Sequence, residues 1–347
     1  MTLPADRETE RLERTLADTR RDRDSYRIRY QTAVAEVHAL SKRLSLIEDV
    51  QRVNFRPPKW TTRTGRSVKH HATVVSILSD THWDEVVNPA EVGGINAYNR
   101  DIAIERLREY TSGLIKTSRR YLAGVDYDGC VLMLGGDMFS GTLHDLAETN
   151  EDTSFGSLLF WSEHLAAVIG QLVDEFGRIH VPVVVGNHGR QTRKPRTKLR
   201  ARDNLDWLLA HIVAKHFDGD KRVTFDIPDS TDAIVPVYDT IHLLTHGDQV
   251  TGGSGIGGIW PPVMRLQARK RIRSPHDILV MGHFHQLISA PQAGIIVNSS
   301  LKSYDEYASV CNYKPEQPQQ AAWLVTPEHG VSFSWPVIAP MHYAGPR

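Results

Sequence analysis

Between residues 73 and 340, short apolar runs alternate with stretches of helical spacing. Thr73–Leu78 (TVVSIL), Cys130–Leu134 (CVLML) and Val181–Val185 (VPVVV) are continuous apolar runs of the length and composition of strands buried on both faces. Residues 99–122, 155–176 and 203–217 repeat apolar side chains every three or four positions and predict helices. Past residue 220, short strand patterns dominate, at 222–227, 234–238, 241–245, 278–281, 294–297, 321–326 and 331–335, interrupted by one helix at about 262–273. Strands separated by helices imply an α/β domain whose sheet is covered on both faces, and the hairpin-rich second half implies a second sheet.

Residues 5–52 have a different texture, rich in Arg, Glu, Asp and Leu and free of Pro and Gly. Leu16, Arg23, Tyr30, Val37 and Leu44 fall at one heptad position, and Leu12, Thr19, Tyr26, Ala33, Leu40 and Ile47 at the other. That 3–4 spacing predicts a long helix over 1–53 with a coiled-coil seam, through which the chain would self-associate. The alternative is a solitary amphipathic helix packed on the main domain. Arg56-Pro57-Pro58-Lys59 ends the helix, since neither proline can continue it, and 54–72 reads as a linker to a domain at 73–340.

Composition narrows the classes of function. Lys plus Arg and Asp plus Glu are both 41, so the formal net charge is zero and any pull towards nucleic acid must come from a local patch. The two cysteines do not make a disulfide framework, and Cys130, inside an apolar run, reads as a core thiol. The charged N-terminus has no apolar signal region, and no apolar run approaches a membrane span. The expectation is a cytoplasmic protein without membrane association.

Five polar motifs end five of the strand runs: Asp80-Thr-His82, Gly136-Asp137, Gly186-Asn187-His188, His246-Gly-Asp248 and Gly282-His283-Phe-His285. Sites in open α/β sheets form beyond the carboxyl ends of strands, so the five should converge on one rim. Carboxylates, a carboxamide and imidazoles, with no thiolate, suit two divalent ions, Mn first, with Fe, Zn, Ni and Mg as alternatives. Two such ions sharing a carboxylate and a hydroxide would activate water and clamp phosphate oxygens, leaving a proton donor for the leaving oxygen to be supplied by a histidine. Asp84 and Asp248 lie near these motifs and read equally as groups orienting histidines or as plain surface acids.

In this order, the set D-x-H, G-D, G-N-H, H and G-H-x-H, spanning 74 to about 300, resembles the calcineurin-like metallophosphoesterases. The resemblance implies a two-sheet αββα sandwich, here with an N-terminal coiled-coil-like helix. It implies that Asp80, His82 and His285 hold one metal, that Asp137 bridges, and that Asn187, His246 and His283 complete the second. It gives His188 the phosphate contact and the general-acid role. Two positions depart from the family: Gly189 stands where an acid usually follows G-N-H, and Met138-Phe139-Ser140 follow Asp137 without the frequent second Asp.

Substrate choice must come from the loops. Residues 190–202 carry seven basic residues and one acid-free stretch beside His188, among them Arg190, Arg193, Lys194 and Arg196, which would track a phosphate backbone. Arg265, Arg269, Lys270, Arg271 and Arg273 form a second cluster, and Trp260 ends a glycine-rich segment that would offer a base-stacking surface. The expectation is a phosphodiesterase acting on DNA or RNA, close to the nuclease branch in its Gly136–Phe139 motif. The alternatives are a phosphomonoesterase acting on phosphoprotein or small nucleotides, and a non-catalytic coiled-coil scaffold.

Overall fold

The computed structural model describes residues 15–16, 18–35, 37, 58–61, 70–141, 150–251 and 257–343. The chain divides into two compact units, Met1–Asn54 and Phe55–Arg347. In the first unit the described residues between 15 and 37 are helical (α1). Along α1 the heptad residues Leu16, Tyr26, Tyr30 and Val37 are each more than half exposed. Thr19, Arg23 and Ala33 are exposed too, and Leu12, Leu40, Leu44 and Ile47 lie outside the described residues.

The second unit is an α/β sandwich of two mixed sheets. The first sheet runs from β1 (His71–Leu78) through β2 (Asp126–Leu134), β3 (Ile179–Pro182) and β4 (Val223–Asp226), all parallel. Its other edge is the antiparallel pair β10 (Gln319–Thr326) and β11 (Gly330–Ile338), with β10 against β1. The second sheet contains β5 (Asp232–Val237), β6 (Thr240–Thr245), β7 (Ile278–Met281), β8 (Ile288–Ala290) and β9 (Ile295–Val297) in the order β5-β6-β7-β9-β8. Helices α2 (Arg100–Lys116), α3 (Ser154–Phe176) and α4 (Leu205–His216) accompany the first sheet, α5 (Trp260–Arg273) the second, and α6 (Glu306–Val310) is a short late turn. The caps agree with the sequence: the side chains of Asn99, Thr153 and Asn204 accept main-chain N–H groups at the starts of α2, α3 and α4.

Alternation along the strands decides the packing. Leu244 and Val280 face the first sheet, in one core with Val75, Ile77, Met133 and Trp323. Their neighbours Leu243, Leu279 and Met281 face the other way and pack with Val263 of α5. Burial on both faces explains why these strands read as unbroken apolar runs.

Three local features differ from the sequence expectation. The regular ladder of the third strand covers only Ile179–Pro182; Val183 adds an isolated bridge to Leu134, and Val184 and Val185 continue as buried extended chain. The helix expected over 99–122 changes at Thr117–Tyr121 to a wider turn, where Leu122 N–H reaches Thr117 O. Lys59–Thr61, inside the stretch read as a linker, forms a turn whose Thr61 carbonyl accepts the Tyr238 N–H at 2.6 Å, building it onto the domain.

Among the described residues no helix is long and apolar enough to cross a membrane. Cys130 is a buried free thiol, which burial pushes up in pKa, and Cys311 is an exposed one.

His242 is held neutral in the core. Its Nδ1–H donates to Val235 O at 3.2 Å, and its Nε2 accepts the Trp323 indole N–H at 3.1 Å. A second proton would meet another donor. Burial lowers His242 and His180 to about 4 from the ordinary 6.5. The folded state therefore refuses protons that the unfolded chain binds, so stability is lost as pH falls from about 6.5 towards 4. Thermal melts of EDTA-treated protein should show this decline, at roughly 1.4 kcal/mol per pH unit for each such histidine. A flat profile across that window would show that these rings accept protons without cost.

Candidate metal centre

All five motifs lie at the rim where the carboxyl ends of the parallel strands meet. Asp80 follows β1, Asp137 follows β2, and Asn187 and His188 follow the extension of β3. His246 follows β6, and His283 and His285 follow β7. The first sheet thus supplies the carboxylates and the carboxamide, and the second sheet supplies three of the imidazoles.

The backbone at this rim is strained in a consistent way. Asp80, His82, Asp137, His283 and His285 all take positive φ, between 47° and 73°. L residues rarely adopt this region, and its concentration at one place marks a site the rest of the fold holds in position. Close approach also dictates Gly186, where a Cβ would lie 2.0 Å from Asp137 Oδ1.

Among the described residues, three groups of side chains bring their nitrogen or carboxylate atoms within 4.8 Å of one another: Asp80, His82 and His285; Asp137, His246 and His283; and His82, Asp137 and His188. Asp137 belongs to two of them. Within these groups His82 Nε2 lies 3.1 Å from His285 Nε2, and His285 Nε2 lies 3.5 Å from Asp80 Oδ1. His246 Nε2 lies 3.0 Å from Asp137 Oδ2 and 3.2 Å from Asn187 Oδ1. Ligands about 2.0–2.2 Å from one ion sit roughly 2.9–3.5 Å apart, so these edges match a coordination shell. The seven residues expected as ligands are therefore together, in two sets of donors suited to divalent ions.

Hydrogen bonds set which nitrogen each ring presents. His246 Nδ1 donates to Gly135 O at 2.9 Å, leaving Nε2 for the site. His188 Nδ1 donates to Ser140 O at 3.1 Å, and His188 N–H donates to Asp137 Oδ1 at 2.7 Å. A carbonyl oxygen only accepts, so the His188 proton sits on Nδ1 and its Nε2 carries the lone pair. The orienting group that Gly189 cannot offer is thus the Ser140 carbonyl. His82 Nδ1 lies 2.9 Å from Ser140 Oγ, and that hydroxyl donates to the buried Glu85 carboxylate, so Nδ1 carries the His82 proton.

Electrostatics agree with this division. Burial, with Lys302, His188 and His285 nearby, holds His82 well below 6.5, and burial with the charge of His246 lowers His283 to about 4. Both rings present lone pairs. Burial opposes charge on His246 too, but the Asp137 carboxylate outweighs it and raises His246 to about 9. Asp137 is correspondingly held well below the usual carboxylate range despite its burial, chiefly by His246. In the metal-free molecule a proton on His246 neutralises Asp137, and a divalent ion would displace it.

Several supporting residues give no signal in the sequence. Lys302 Nζ reaches Glu85 at 2.8 Å and also Asp305, and both carboxylates hold its charge against burial. Ser79 Oγ donates to Asp80 Oδ2 at 2.5 Å and accepts from Asn298 Nδ2 at 2.8 Å. Neither acid singled out beside the motifs touches a site histidine. Asp84 instead pairs with Arg100 at 2.7 and 2.8 Å, and Asp248 pairs with Arg200.

The basic loop is less cationic than its sequence. Arg196, Arg200 and Arg202 pair with Asp203, Asp248 and Asp229. Arg190 donates to the carbonyls of Asn187, Thr192 and Arg193, which fastens it beside the site. Arg193, Lys194 and Lys198 are exposed and have no carboxylate partner among the described residues. In the second cluster Lys270 and Arg273 pair with Asp232, and Arg271 caps the carbonyls of His276 and Asp277. Trp260 is partly buried against the α5 core, and residues 252–256 before it lie outside the described residues.

No family model matches the chain, and no curated protein matches it. Among solved structures the chain is similar to a conserved uncharacterized protein, a predicted phosphoesterase, from Streptococcus pneumoniae. That likeness has 13% identity, covers 78% of this chain and 98% of that one, and has a TM-score of 0.29. It is also similar to vacuolar protein sorting 29 from Cryptosporidium parvum, at 13% identity, 74% and 86% coverage and a TM-score of 0.34. A third likeness is to the sulfate thiohydrolase SoxB from Thermus thermophilus, at 12% identity, 80% and 58% coverage and a TM-score of 0.29. Likenesses this distant assign no residue and no chemistry, so the reading of the site rests on its own geometry.

Proposed function

We propose that the chain is a metal-dependent phosphoesterase that cleaves phosphodiester bonds of DNA or RNA. One observation carries the phosphoesterase reading: two Asp/His groups of metal-ligand spacing flank Asp137, which shares one group with His82 and the other with His246. Two divalent ions held there, with Mn the first candidate, would lower the pKa of a water and neutralise phosphate charge.

The chain's own residues supply the rest. Asp80, His82 and His285 form one ligand set, Asn187, His246 and His283 the other, and Asp137 lies between them. Glu85 and Ser140 keep the His82 proton on Nδ1 and its Nε2 on the metal side. His188, anchored through Nδ1 to a carbonyl, presents Nε2 to the same space as His82 and Asp137. As a general acid it would need a second proton, on Nε2, to give to the leaving oxygen.

Support for a nucleic-acid substrate comes from the loop that begins two residues after His188. Among the described residues Arg193, Lys194 and Lys198 have no carboxylate partner, and neither has the Arg190 guanidinium beside Asn187. Arg196, singled out with them in the sequence, is already neutralised by Asp203 at 3.1 Å and contributes less.

Two measurements test this. Mn²⁺-dependent hydrolysis of bis-p-nitrophenyl phosphate should exceed that of p-nitrophenyl phosphate, and labelled oligonucleotides should be cut. Changing Arg193, Lys194 and Lys198 together to Ala should weaken DNA binding and reduce its salt slope by about 2–3, since each lost phosphate contact removes roughly 0.9. A preference for the monoester would favour phosphoprotein or small nucleotides, and an unchanged salt slope would remove the loop from the substrate path.

A further inference from the structure

If the two ligand sets hold metal as proposed above, Asp137 and Asn187 must be kept at a fixed spacing. Gly189 stands in the turn after His188, and a Cβ there would lie 2.3 Å from Asn204 Oδ1. The start of α4 takes up the space an acidic side chain would need. Asn204 Oδ1 accepts the Asp206 N–H at 2.8 Å, and Asn204 Nδ2 donates to Gly186 O at 2.8 Å. Leu205 N–H donates to Gly189 O at 2.8 Å, so α4 is seated on the turn through main chain as well.

Asp206 lies deepest in this arrangement, with 2% of its surface exposed. An acid in the first turn of a helix ordinarily serves that helix's own N–H groups. The Asp206 carboxylate serves two other loops. Its Oδ2 accepts Asp137 N–H and Gly186 N–H, both at 2.9 Å, and its Oδ1 accepts Met138 N–H at 3.1 Å. One of these amides belongs to Asp137 itself, and another belongs to the residue before Asn187. A single buried carboxylate therefore ties the turn after β2 to the turn after β3 at the point where both deliver ligands.

We infer that Asp206, seated by Asn204, is a positioning residue for the metal centre: it presets the spacing of Asp137 and Asn187 before any ion binds. Gly189 is the consequence, since the turn must leave room for Asn204. Asp206 is not among the expected ligands and acts through the backbone of Asp137, Met138 and Gly186.

The test is Asp206→Asn, which keeps the shape but turns an N–H towards at least one of the three amides. Isothermal titration of the metal-free full-length protein with Mn²⁺ should show a dissociation constant weakened by about 10–100-fold. Activity should recover substantially at high Mn²⁺. Binding within twofold of wild type, even with a lowered melting temperature, would overturn the inference and leave Asp206 a stabiliser of the fold. Wild-type protein that binds no divalent ion would overturn the metal-centre reading itself, a distinguishable failure. A measurement on wild type covers the case of a variant that does not fold. In metal-free protein the amides of Asp137, Met138 and Gly186 should resist hydrogen exchange like strand interiors. Exchange at open-loop rates would show that no preset clamp exists and overturn the inference.

Discussion

Asp137→Asn is expected to lower Mn²⁺-dependent hydrolysis of bis-p-nitrophenyl phosphate by about 10³-fold, the effect of losing roughly 4 kcal/mol of metal-derived stabilisation of the transition state. The change keeps size and shape but removes the charge that lies within metal-ligand reach of both His82 and His246. Asp137 faces His246 at 3.0 Å, is fully enclosed, and accepts the His188 N–H, so no water can replace its lost charge. Titration with Mn²⁺ should show fewer or weaker sites than wild type. A variant within tenfold of wild type would show that Asp137 is an ordinary buried acid and that the centre lies elsewhere.

His188→Ala should separate leaving groups. For an oligonucleotide, whose leaving oxygen needs a proton, the expected loss in kcat is about 10²–10⁴-fold, the usual range for a general acid. For bis-p-nitrophenyl phosphate the loss should be much smaller, because nitrophenolate departs without protonation. The Nδ1 bond to Ser140 O is what makes this expectation specific, since it commits Nε2 to the site. Equal losses on both substrates would mean that His188 only holds the phosphate, and the proton donor would have to be sought elsewhere.

That the residues expected as ligands gather at one rim was legible in the sequence for a physical reason. Each stands where an apolar run stops at a sharp turn, and both signals are local. The two sheets were legible for a similar reason, since strands buried on two faces read as unbroken apolar runs. The supporting groups have no such signature. Glu85 is three residues from His82 but acts through Ser140, and Lys302 reaches it from 217 positions away. Asp206 looks like an ordinary helix-start acid, and only the fold reveals that its oxygens face other loops. The net charge of the basic loop is not legible locally for the matching reason: its neutralising partners Asp229 and Asp248 lie beyond the loop in sequence. The shortened third strand shows another limit, since apolar character reports burial and Val183–Val185 are buried without a full ladder.

The joining of the two sheets at the rim also has a consequence for how the protein comes into being. Asp80 Oδ1 accepts the His283 N–H across 203 positions, and the His82 and His285 rings meet across the same separation. Contacts of that span form late, after loop closure has brought distant segments together. A nascent or truncated chain ending before residue 283 would therefore carry Asp80, His82 and Asp137 yet assemble no complete ion site. On the proposed reading, metal uptake would follow folding and report its completion, and activity on phosphoesters would wait for the last ligand-bearing turn.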